Sequence, residues 1–388
     1  MRVLLFGNPA TGHLVPLLPL ARAFRERGDT VGVCSAGPMS SLLDAEGIAF
    51  LPAGPMAEAT VAEVLRTTGH DLWQGLTVEA EAEFFAAARI DLGLDEVLTA
   101  ARDWRPDLIV AEHFDFVGQL VGALLDVPVA ALAYGPAVQP ASVEPIAARL
   151  RGRYEARGLV HGPARWYLDT CPPALQNPGW VAPAGRIGLR PEPHRSPGPE
   201  LPAARPEPGR TRPRVLVSFG TTGTLPTVIG PLLRELLDLD VDIRVTLHTS
   251  APEEFGVRPD QASRVEFVGF TPLAELLRGV DALVTHGGAG TVLGALARGL
   301  PMVVVPLGAD QPVQAERVAA SGAGISFPLA GAPAAAVAGA MAEILADTAY
   351  RDRAQQVAAE IAALGTPADV AEHLANAVAR DRAEEPSR

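Results

Sequence analysis

Lysine is absent from the sequence, and only two of the 388 residues, Cys34 and Cys171, are cysteines. The cysteines lie far apart and have no metal-binding or redox spacing, so the simplest expectation is a reducing, cytoplasmic environment. The 32 basic residues are outnumbered by 45 acidic ones, and the formal net charge is -13. Because the chain also has no basic stripe interleaved with aromatic residues, we expect no nucleic-acid partner.

Long apolar runs are missing as well. The most apolar stretch, about residues 117–138, is interrupted by Asp126 and Pro128 and indicates a helix followed by a strand, not a membrane span. Met1 leads directly into the strand-like Arg2–Phe6 without a charged leader or cleavage site, so we expect no signal peptide. Hydrophobic residues make up 48% of the chain, which is enough to fill the cores of two α/β domains.

The clearest pattern present is an internal repeat. RVLLFGNPATGHLVPLLPLARAF at 2–24 and RVLVSFGTTGTLPTVIGPLLREL at 214–236 each combine an apolar run, a glycine-containing turn and an amphipathic helix pattern. Doubly wound α/β domains begin in this way. The segment 190–213 contains eight prolines and predicts an extended linker. We therefore predict one domain at 1–189 and a second at 214–388.

Continuous apolar runs predict the buried parallel strands of both domains. Ligands of such sheets bind at the carboxyl ends of the strands. The expected fold is α/β, with two Rossmann-like domains that face each other across a ligand-binding cleft. The predicted strands, besides the two that open the repeats, are Thr30–Cys34, Leu108–Ala111, Val127–Leu132, Ile243–His248, Val265–Val268, Ala282–Thr285 and Met302–Val305.

A glycine-rich turn, HGGAGT at 286–291, follows the strand predicted to end near Thr285. Glycine lets the backbone approach a ligand closely, and the helix predicted to begin near Thr291 presents free N–H groups at its positive end. This chemistry suits a phosphate or diphosphate, with His286 as an added hydrogen-bond donor. The spacing alone also fits a tight turn without a ligand, and it matches neither a Walker loop nor the dinucleotide fingerprint.

Together with GLPMVVVPLGADQPVQAERV at 299–318, this turn closely resembles the donor-binding signature of the GT-B glycosyltransferases. The resemblance is to the family of bacterial natural-product (macrolide and polyketide antibiotic) and plant secondary-metabolite enzymes, and it covers roughly 214–325 and 1–27. It implies an N-terminal acceptor-binding domain and a C-terminal domain for the nucleotide-sugar donor. It also implies that the last helices, about 366–380, cross back to the first domain.

The resemblance further implies the roles of individual donor-site residues. The motif 268–277, VGFTPLAELL, matches the segment that holds the nucleobase. The Asp310–Gln311 pair would hold hydroxyls of the donor sugar, and an exposed loop is the alternative reading for it. The donor motif has no Asp-x-Asp pair of the metal-dependent transferases, so no metal and no cofactor beyond the nucleotide sugar is expected. The implied donor residues are Phe270 and Thr271 at the base, His286, Gly288, Gly290 and Thr291 at the diphosphate, with Thr221 near the phosphates, and Asp310 and Gln311 at the sugar.

The nucleobase segment departs from the plant enzymes in two ways. Phe270-Thr-Pro-Leu273 stands in place of a Trp-x-Pro-Gln platform, and Gly294 stands where those enzymes carry a glutamate that grips both ribose hydroxyls. Loss of this clamp is tolerable when the donor has no 2′-hydroxyl. The sequence therefore favours a dTDP-sugar over a UDP-sugar.

His13, in Gly12-His13-Leu14-Val15-Pro16, follows the first strand. A lone loop histidine is more often structural, but the resemblance identifies this one as the general base, a role that suits a pKa near the working pH. Two carboxylates after a neighbouring strand are candidates to orient it. Glu112 aligns with the family's usual aspartate. Asp115 is the alternative, or else the N-cap of the next helix.

The resulting hypothesis is an inverting transfer of a (deoxy)sugar from a dTDP-sugar to a small hydrophobic acceptor such as a polyketide aglycone. The rival readings are a nucleotide-sugar epimerase or hydrolase of the same fold and a non-catalytic partner protein. The His13 segment and the Asp310–Gln311 pair argue for transfer, and the sequence leaves homodimerisation open. Aromatic residues that could line the acceptor pocket, although each is equally compatible with a core position, are Trp73, Phe84, Phe85, Tyr134 and Trp166.

Overall fold

The computed structural model describes residues 1–72, 75–198, 209–220, 226–247, 252–329 and 331–384. These residues form two compact units. The first contains Met1–Cys171, Asn177–Arg190 and the chain from Leu364 onward, and the second contains Pro172–Gln176 and Pro191–Ala363. Among the described residues, no helix is long and apolar enough to cross a membrane.

Within the described residues, the first unit has a seven-stranded parallel sheet of order β3-β2-β1-β4-β5-β6-β7. Its strands are β1 (Arg2–Phe6), β2 (Thr30–Ser35), β3 (Ala49–Pro52), β4 (Leu108–Glu112), β5 (Val129–Ala133), β6 (Trp166–Asp169) and β7 (Arg186–Gly188). Its helices, up to the linker, are α1 (Thr11–Leu14), α2 (Leu18–Glu26), α3 (Ala57–Thr68), α4 (Val78–Glu83), α5 (Arg89–Trp104), α6 (Phe116–Leu125) and α7 (Pro140–Glu155). Short 3-10 helices lie at Val15–Leu17 and Gly37–Leu42, and a π-helical turn spans Phe84–Ala88.

The second unit has, within its described part, a six-stranded parallel sheet of order β10-β9-β8-β11-β12-β13. Its strands are β8 (Arg214–Ser218), β9 (Asp242–Thr246), β10 (Val265–Val268), β11 (Ala282–Thr285), β12 (Met302–Val304) and β13 (Gly324–Ser326). The helices that follow the linker are α8 (Pro226–Leu237), α9 (Leu273–Leu276), α10 (Ala289–Leu296), α11 (Gln311–Ser321), α12 (Ala334–Ala346), α13 (Thr348–Ala362) and α14 (Pro367–Glu384), of which α14 belongs to the first unit. Further 3-10 helices lie at Pro173–Leu175, Pro252–Phe255 and Ala262–Arg264.

The central strands are apolar because helices cover both faces of each sheet. Ile109, Val110 and Ala111 of β4 are fully buried. The last helix, α14, contributes to the core of the first unit, since Val370 and Leu374 belong to the same buried cluster as residues of α2. These positions recur at the spacing of one helix face, which explains why α14 packs on this unit.

The predicted α/β class with two doubly wound domains is confirmed. The predicted strands are present with ends that agree to within two residues. The strand expected to reach His248 ends at Thr246, and His248 lies outside the described residues. The sequence did not predict β3, β6, β7 and β13. These strands are three or four residues long and lie toward the edges of the sheets, so each gives only a short pattern in the sequence.

The strand order reverses at one point in each sheet. In the first unit this point lies between the neighbours β1 and β4, and in the second between β8 and β11. In open α/β sheets, ligands bind beyond the carboxyl ends of the strands at such a switch point. His13 follows β1 and His286 follows β11, so one histidine lies at each switch point.

Candidate active site

His13 and Glu112 meet at the switch point of the first sheet. His13 lies in α1, and Glu112 is the last residue of β4, the strand that runs parallel beside β1. The Nδ1 atom of His13 is 3.0 Å from Oε2 of Glu112. The side chain of His13 is 25% exposed, whereas that of Glu112 is fully buried. An imidazole that reaches solvent is thus backed by a buried carboxylate.

The carboxylate of Glu112 is held at both oxygens. Asn8 donates a hydrogen bond from Nδ2 to Oε2 (2.8 Å), and the backbone N–H of Phe114 donates to Oε1 (2.8 Å). Burial on its own would raise the pKa of Glu112. The charge of His13 and its hydrogen bond, then the charge of His113 and the Phe114 N–H, outweigh burial and lower this pKa to about 2. Glu112 is therefore ionised at neutral pH.

Tyr134 supplies a second contact to the same nitrogen. It follows β5, the next strand beyond β4 in the sheet, and its hydroxyl oxygen lies 2.5 Å from Nδ1 of His13. The sequence placed Tyr134 only among candidate acceptor-lining residues. The strand order β1-β4-β5 is the signal that brings it to His13, because the carboxyl ends of these neighbouring strands lie side by side.

Asp115 does not make the contact to His13 that the sequence offered as an alternative. Its side chain caps α6 by accepting a hydrogen bond from the backbone N–H of Gly118 (2.8 Å). Its other oxygen accepts one from Arg89 (3.1 Å), and both side chains are buried. The prediction of a catalytic Asp115 is corrected here, since its oxygens serve a helix N-terminus and a buried ion pair.

An aromatic surface lies beside His13. Phe84 and Phe85 occupy the π-helical turn between α4 and α5, a type of irregularity that is frequent at functional sites. The ring centroid of Phe85 is 6.0 Å from that of His13 and 4.7 Å from that of Phe114. The centroids of Phe84 and Phe85 are 4.8 Å apart. The turn thus brings Phe85 to the histidine, while Phe84 contacts Phe85 and also packs against the cluster of Val64, Ala80 and Ala88.

Two other aromatic candidates do not join this surface. Trp166 is buried in the core at the first position of β6, whereas the carboxyl end of that strand is Asp169. It therefore lies at the opposite edge of the sheet from His13, and its expected acceptor contact is corrected to a packing role. Trp73 lies outside the described residues.

His286 follows β11 in a glycine-rich turn. Burial lowers the pKa of His286, and the Ser218 carbonyl and the charge of Asp310 offset only part of this effect. A Cβ atom at Gly288 would lie 2.8 Å from Nε2 of His286, so the ring packs directly against this backbone. Gly288 is the N-cap of α10, which begins at Ala289 rather than near the predicted Thr291. His286 is thus a mainly neutral side chain packed against a helix N-terminus.

The first turn of α10 contains Gly290 and Thr291. A Cβ atom at Gly290 would meet no protein atom within 4 Å. Packing in the described structure therefore does not require glycine at this position. The open space above a helix N-terminus is compatible with an anionic ligand.

Asp310 and Gln311 lie where α11 begins, in the loop after β12. The Oε1 atom of Gln311 accepts hydrogen bonds from the backbone N–H groups of Leu307 (2.7 Å) and Gly308 (3.1 Å). Asp310 is exposed and accepts a hydrogen bond from Gln314 (3.2 Å). Gln311 therefore shapes the loop, while the Asp310 carboxylate remains accessible.

In the expected nucleobase region, the ring of Phe270 is exposed and Gly294 is closely packed by its neighbours. Phe270 is 72% exposed, and Thr271 donates a hydrogen bond to the carbonyl of Gly269 (3.2 Å). A Cβ atom at Gly294 would lie 2.7 Å from the side chain of Leu273 and 3.1 Å from Pro193. A side chain at position 294 would therefore have to displace the side chain of Leu273. Thr221 lies outside the described residues.

Asp-x-Asp tripeptides occur away from the donor motif, in Asp238-Leu-Asp240-Val-Asp242. Asp238 and Asp240 precede β9 and Asp242 begins it, so they lie at the amino edge of the second sheet, opposite the carboxyl edge from which His286 follows. Asp240 pairs with Arg212 at 2.5 Å. In the part of the chain that the structure describes, no group of three or more His, Cys, Asp or Glu side chains is arranged to hold a metal ion.

Comparison with known proteins gives matches over nearly the whole chain. The profiles described as erythromycin biosynthesis protein CIII-like match residues 22–181 (N-terminal domain) and 231–377 (C-terminal domain). The elloramycin glycosyltransferase ElmGT of Streptomyces olivaceus is 32% identical, over 96% of this chain and 97% of its own.

Two solved structures are similar throughout. The glycosyltransferase SsfS6 of Streptomyces sp. SF2575, complexed with thymidine diphosphate, has a TM-score of 0.78 and 26% identity, covering 97% of this chain and 99% of its own. The spinosyn rhamnosyltransferase SpnG, complexed with spinosyn aglycone, has a TM-score of 0.77 and 26% identity, covering 96% of this chain and 100% of its own.

Two doubly wound parallel sheets, together with these relatives and solved structures, identify the protein as a GT-B glycosyltransferase. Within that class, the chain belongs to the erythromycin biosynthesis protein CIII-like family, which the earlier resemblance to bacterial natural-product glycosyltransferases anticipated.

Proposed function

We propose that this glycosyltransferase moves a deoxysugar from a dTDP-sugar to a hydroxyl of a small hydrophobic natural product, with inversion and with His13 as general base. The observation that carries this proposal is the 3.0 Å contact between Nδ1 of His13 and the buried, ionised Glu112. A carboxylate can only accept a hydrogen bond, so it favours the tautomer with the proton on Nδ1. The lone pair of that tautomer is on Nε2, which is the atom that would take a proton.

The proposed reaction is a single displacement. The acceptor oxygen forms a bond to the anomeric carbon while its proton passes to Nε2 of His13. The bond from that carbon to the diphosphate oxygen breaks, and its electron pair leaves with dTDP. Glu112 stabilises the imidazolium that results, as a buried carboxylate does in other histidine-based sites. Attack opposite the leaving group inverts the anomeric configuration.

The second unit would bind the leaving group. The free N–H groups at the start of α10 and the ring of His286 are donors for the two phosphates. Because burial lowers the pKa of His286, its ring would act as a neutral hydrogen-bond donor. The thymidine diphosphate complex of SsfS6 supports a dTDP donor for this chain. Gly294 supports it too, because glycine at this position supplies no side chain to bind a ribose 2′-hydroxyl.

The acceptor would lie against the aromatic surface of Phe84, Phe85 and Phe114 beside His13. Such rings bury the apolar part of an aglycone, and the acceptor hydroxyl would then lie at the polar edge of the site. The aglycone complex of SpnG supports a hydrophobic natural product as the acceptor class.

A thermal-shift panel of dTDP, UDP, GDP and NAD tests the donor half, because a ligand that binds the folded state raises its stability. We expect stabilisation by dTDP and little by the others. Stabilisation by UDP alone would contradict the deoxyribose inference. Sugar transfer is then measured by mass spectrometry of polyketide aglycones incubated with dTDP-deoxysugars, with EDTA present because no metal is proposed. Release of free sugar without a glycosylated product would favour a hydrolase.

A further inference from the structure

The second contact on His13 has a function that the general-base proposal does not assign. Tyr134 directs its hydroxyl oxygen to Nδ1 of His13 at 2.5 Å. The two rings are nearly perpendicular, at 82°, with centroids 5.8 Å apart. This edge-on geometry brings the end of the phenol ring, rather than its face, to the nitrogen.

Two oxygens therefore share one ring nitrogen. The Glu112 carboxylate, 3.0 Å away, accepts hydrogen bonds only, so the hydrogen resides on Nδ1. The oxygen of Tyr134 must then act as a second acceptor for that hydrogen. If the phenol donated to Nδ1 instead, the lone pair of the nitrogen would face the carboxylate.

We propose that Tyr134 is a positioning residue for His13: its hydroxyl oxygen shares the Nδ1 hydrogen with Glu112 and fixes the ring in the tautomer whose Nε2 takes the acceptor proton. The inference rests on the proposed role of His13 as the base.

The placement of Tyr134 does not depend on His13 alone. Its ring packs against His113, with centroids 5.3 Å apart at 68°, and against the core of the first unit. Removal of the hydroxyl should therefore leave the ring in place. This makes Tyr134→Phe a specific test of the oxygen.

Tyr134→Phe should lower the proton affinity of His13. Titratable groups meet His13 from two neighbouring strands: Glu112 at the end of β4 and Tyr134 after β5 contact its ring, and His113 contacts both of these residues. The apolar ring of Phe85 packs from the π-helical turn. An imidazolium is a stronger donor than a neutral ring, so loss of an acceptor destabilises the protonated form more.

The test combines turnover with direct titration of His13. Nitrogen-15 NMR resolves ring nitrogens, and comparison with His13→Ala assigns His13 among the eight histidines. In Tyr134→Phe we expect the pKa of His13 to fall by about half to one unit. We expect kcat to fall about tenfold with the acceptor KM nearly unchanged, and the acid limb of the pH profile to move down with the NMR pKa. The control is Tyr154→Phe, which removes a hydroxyl from a buried tyrosine of α7 and should change none of these values.

Three outcomes would overturn the positioning role while leaving the general-base proposal intact. An unchanged His13 pKa means that the oxygen does not share the hydrogen, and a raised pKa means that the phenol donates to Nδ1 in the other tautomer. Additive effects of Tyr134→Phe and Glu112→Gln in a double-mutant cycle would show that they do not act through one nitrogen. If the pKa falls as expected but His13→Ala turns over at the wild-type rate, the general-base proposal fails, and the positioning role fails with it, while the contact stands.

Discussion

The two histidines lie at the switch points of the two sheets, His13 after β1 and His286 after β11, and have opposite surroundings. His13 has a fully buried carboxylate and a phenol oxygen at Nδ1. His286 is packed against the Gly288 backbone, and burial lowers its pKa. An imidazole beside a buried carboxylate suits acceptance of a proton, whereas a desolvated imidazole at a helix N-terminus suits donation of a hydrogen bond as a neutral ring. The same side chain at the two switch points thus takes its chemistry from its neighbours.

The prediction with the largest expected effect tests the role of His13. In His13→Ala we expect kcat to fall roughly 10²- to 10⁴-fold, because a positioned base is lost, with dTDP affinity unchanged. Steady-state transfer assays and dTDP titration measure the two quantities separately. His373→Ala, at an exposed position of α14, is the control. Near-normal turnover in His13→Ala would mean that His13 is not the general base.

The sequence predicts some features of the two sheets better than others. Apolar runs located both sets of central strands, and the motif after β11 indicated an anion site. The edge strands β7 and β13 could not be found, because each has three residues including a glycine, and half-exposed edges carry little apolar signal. Whether such a segment is a strand is decided by its neighbour in the sheet.

The local sequence likewise does not show which carboxylate, Glu112 or Asp115, contacts His13. Both carboxylates lie within four residues of the end of β4, and only the packed structure shows that one faces His13 while the other caps α6. The contact of Tyr134 depends on a strand order that joins residues 121 positions apart. Such non-local contacts leave no periodic pattern in the chain.

The second prediction concerns the other histidine. His286→Ala should raise the KM for the donor and lower kcat roughly 10²-fold, since a donor to the departing diphosphate is lost. It should leave acceptor binding intact. Donor and acceptor titrations by calorimetry, together with transfer rates, give these values. If His286→Ala instead reproduced the His13→Ala profile, with unchanged dTDP affinity, the division of labour between the two histidines would be wrong.

The third prediction uses pH to sharpen the description of the first site. The pKa of Glu112 is about 2 in the folded protein, against 4.5 for the ordinary side chain. A lowered folded-state pKa contributes stability that is fully present above about pH 4.5 and is lost as pH falls toward 2. Between these pH values the wild type should therefore lose more free energy of unfolding than Glu112→Gln, by on the order of a few kcal/mol.

Urea unfolding at a series of pH values measures this difference. Glu112→Gln should be less stable at neutral pH, because an amide cannot accept hydrogen bonds at both of its ends as the carboxylate does. The slope with pH, rather than the stability at any one pH, is the diagnostic quantity. Parallel curves for the two proteins would mean that Glu112 is not held ionised by its neighbours.

The smallest expected effect tests whether the second switch point binds the diphosphate. Gly290→Ala places a methyl group where no protein atom lies within 4 Å. In a helix this change should raise the free energy of unfolding by about 0.5–1 kcal/mol. A diphosphate over the same turn would meet the methyl group, so dTDP affinity should fall about tenfold, which corresponds to roughly 1.4 kcal/mol.

Gly339→Ala in α12 is the matched control, because a Cβ atom there also meets nothing within 4 Å. It should show the gain in stability without the loss of dTDP affinity, as read from thermal unfolding with and without the nucleotide. Stability and affinity therefore move in opposite directions only where a ligand uses the space. If Gly290→Ala binds dTDP as well as Gly339→Ala does, the phosphates do not lie on this turn. The proposed anion-binding role of His286, which contrasts with the proton-accepting role of His13, would then be wrong.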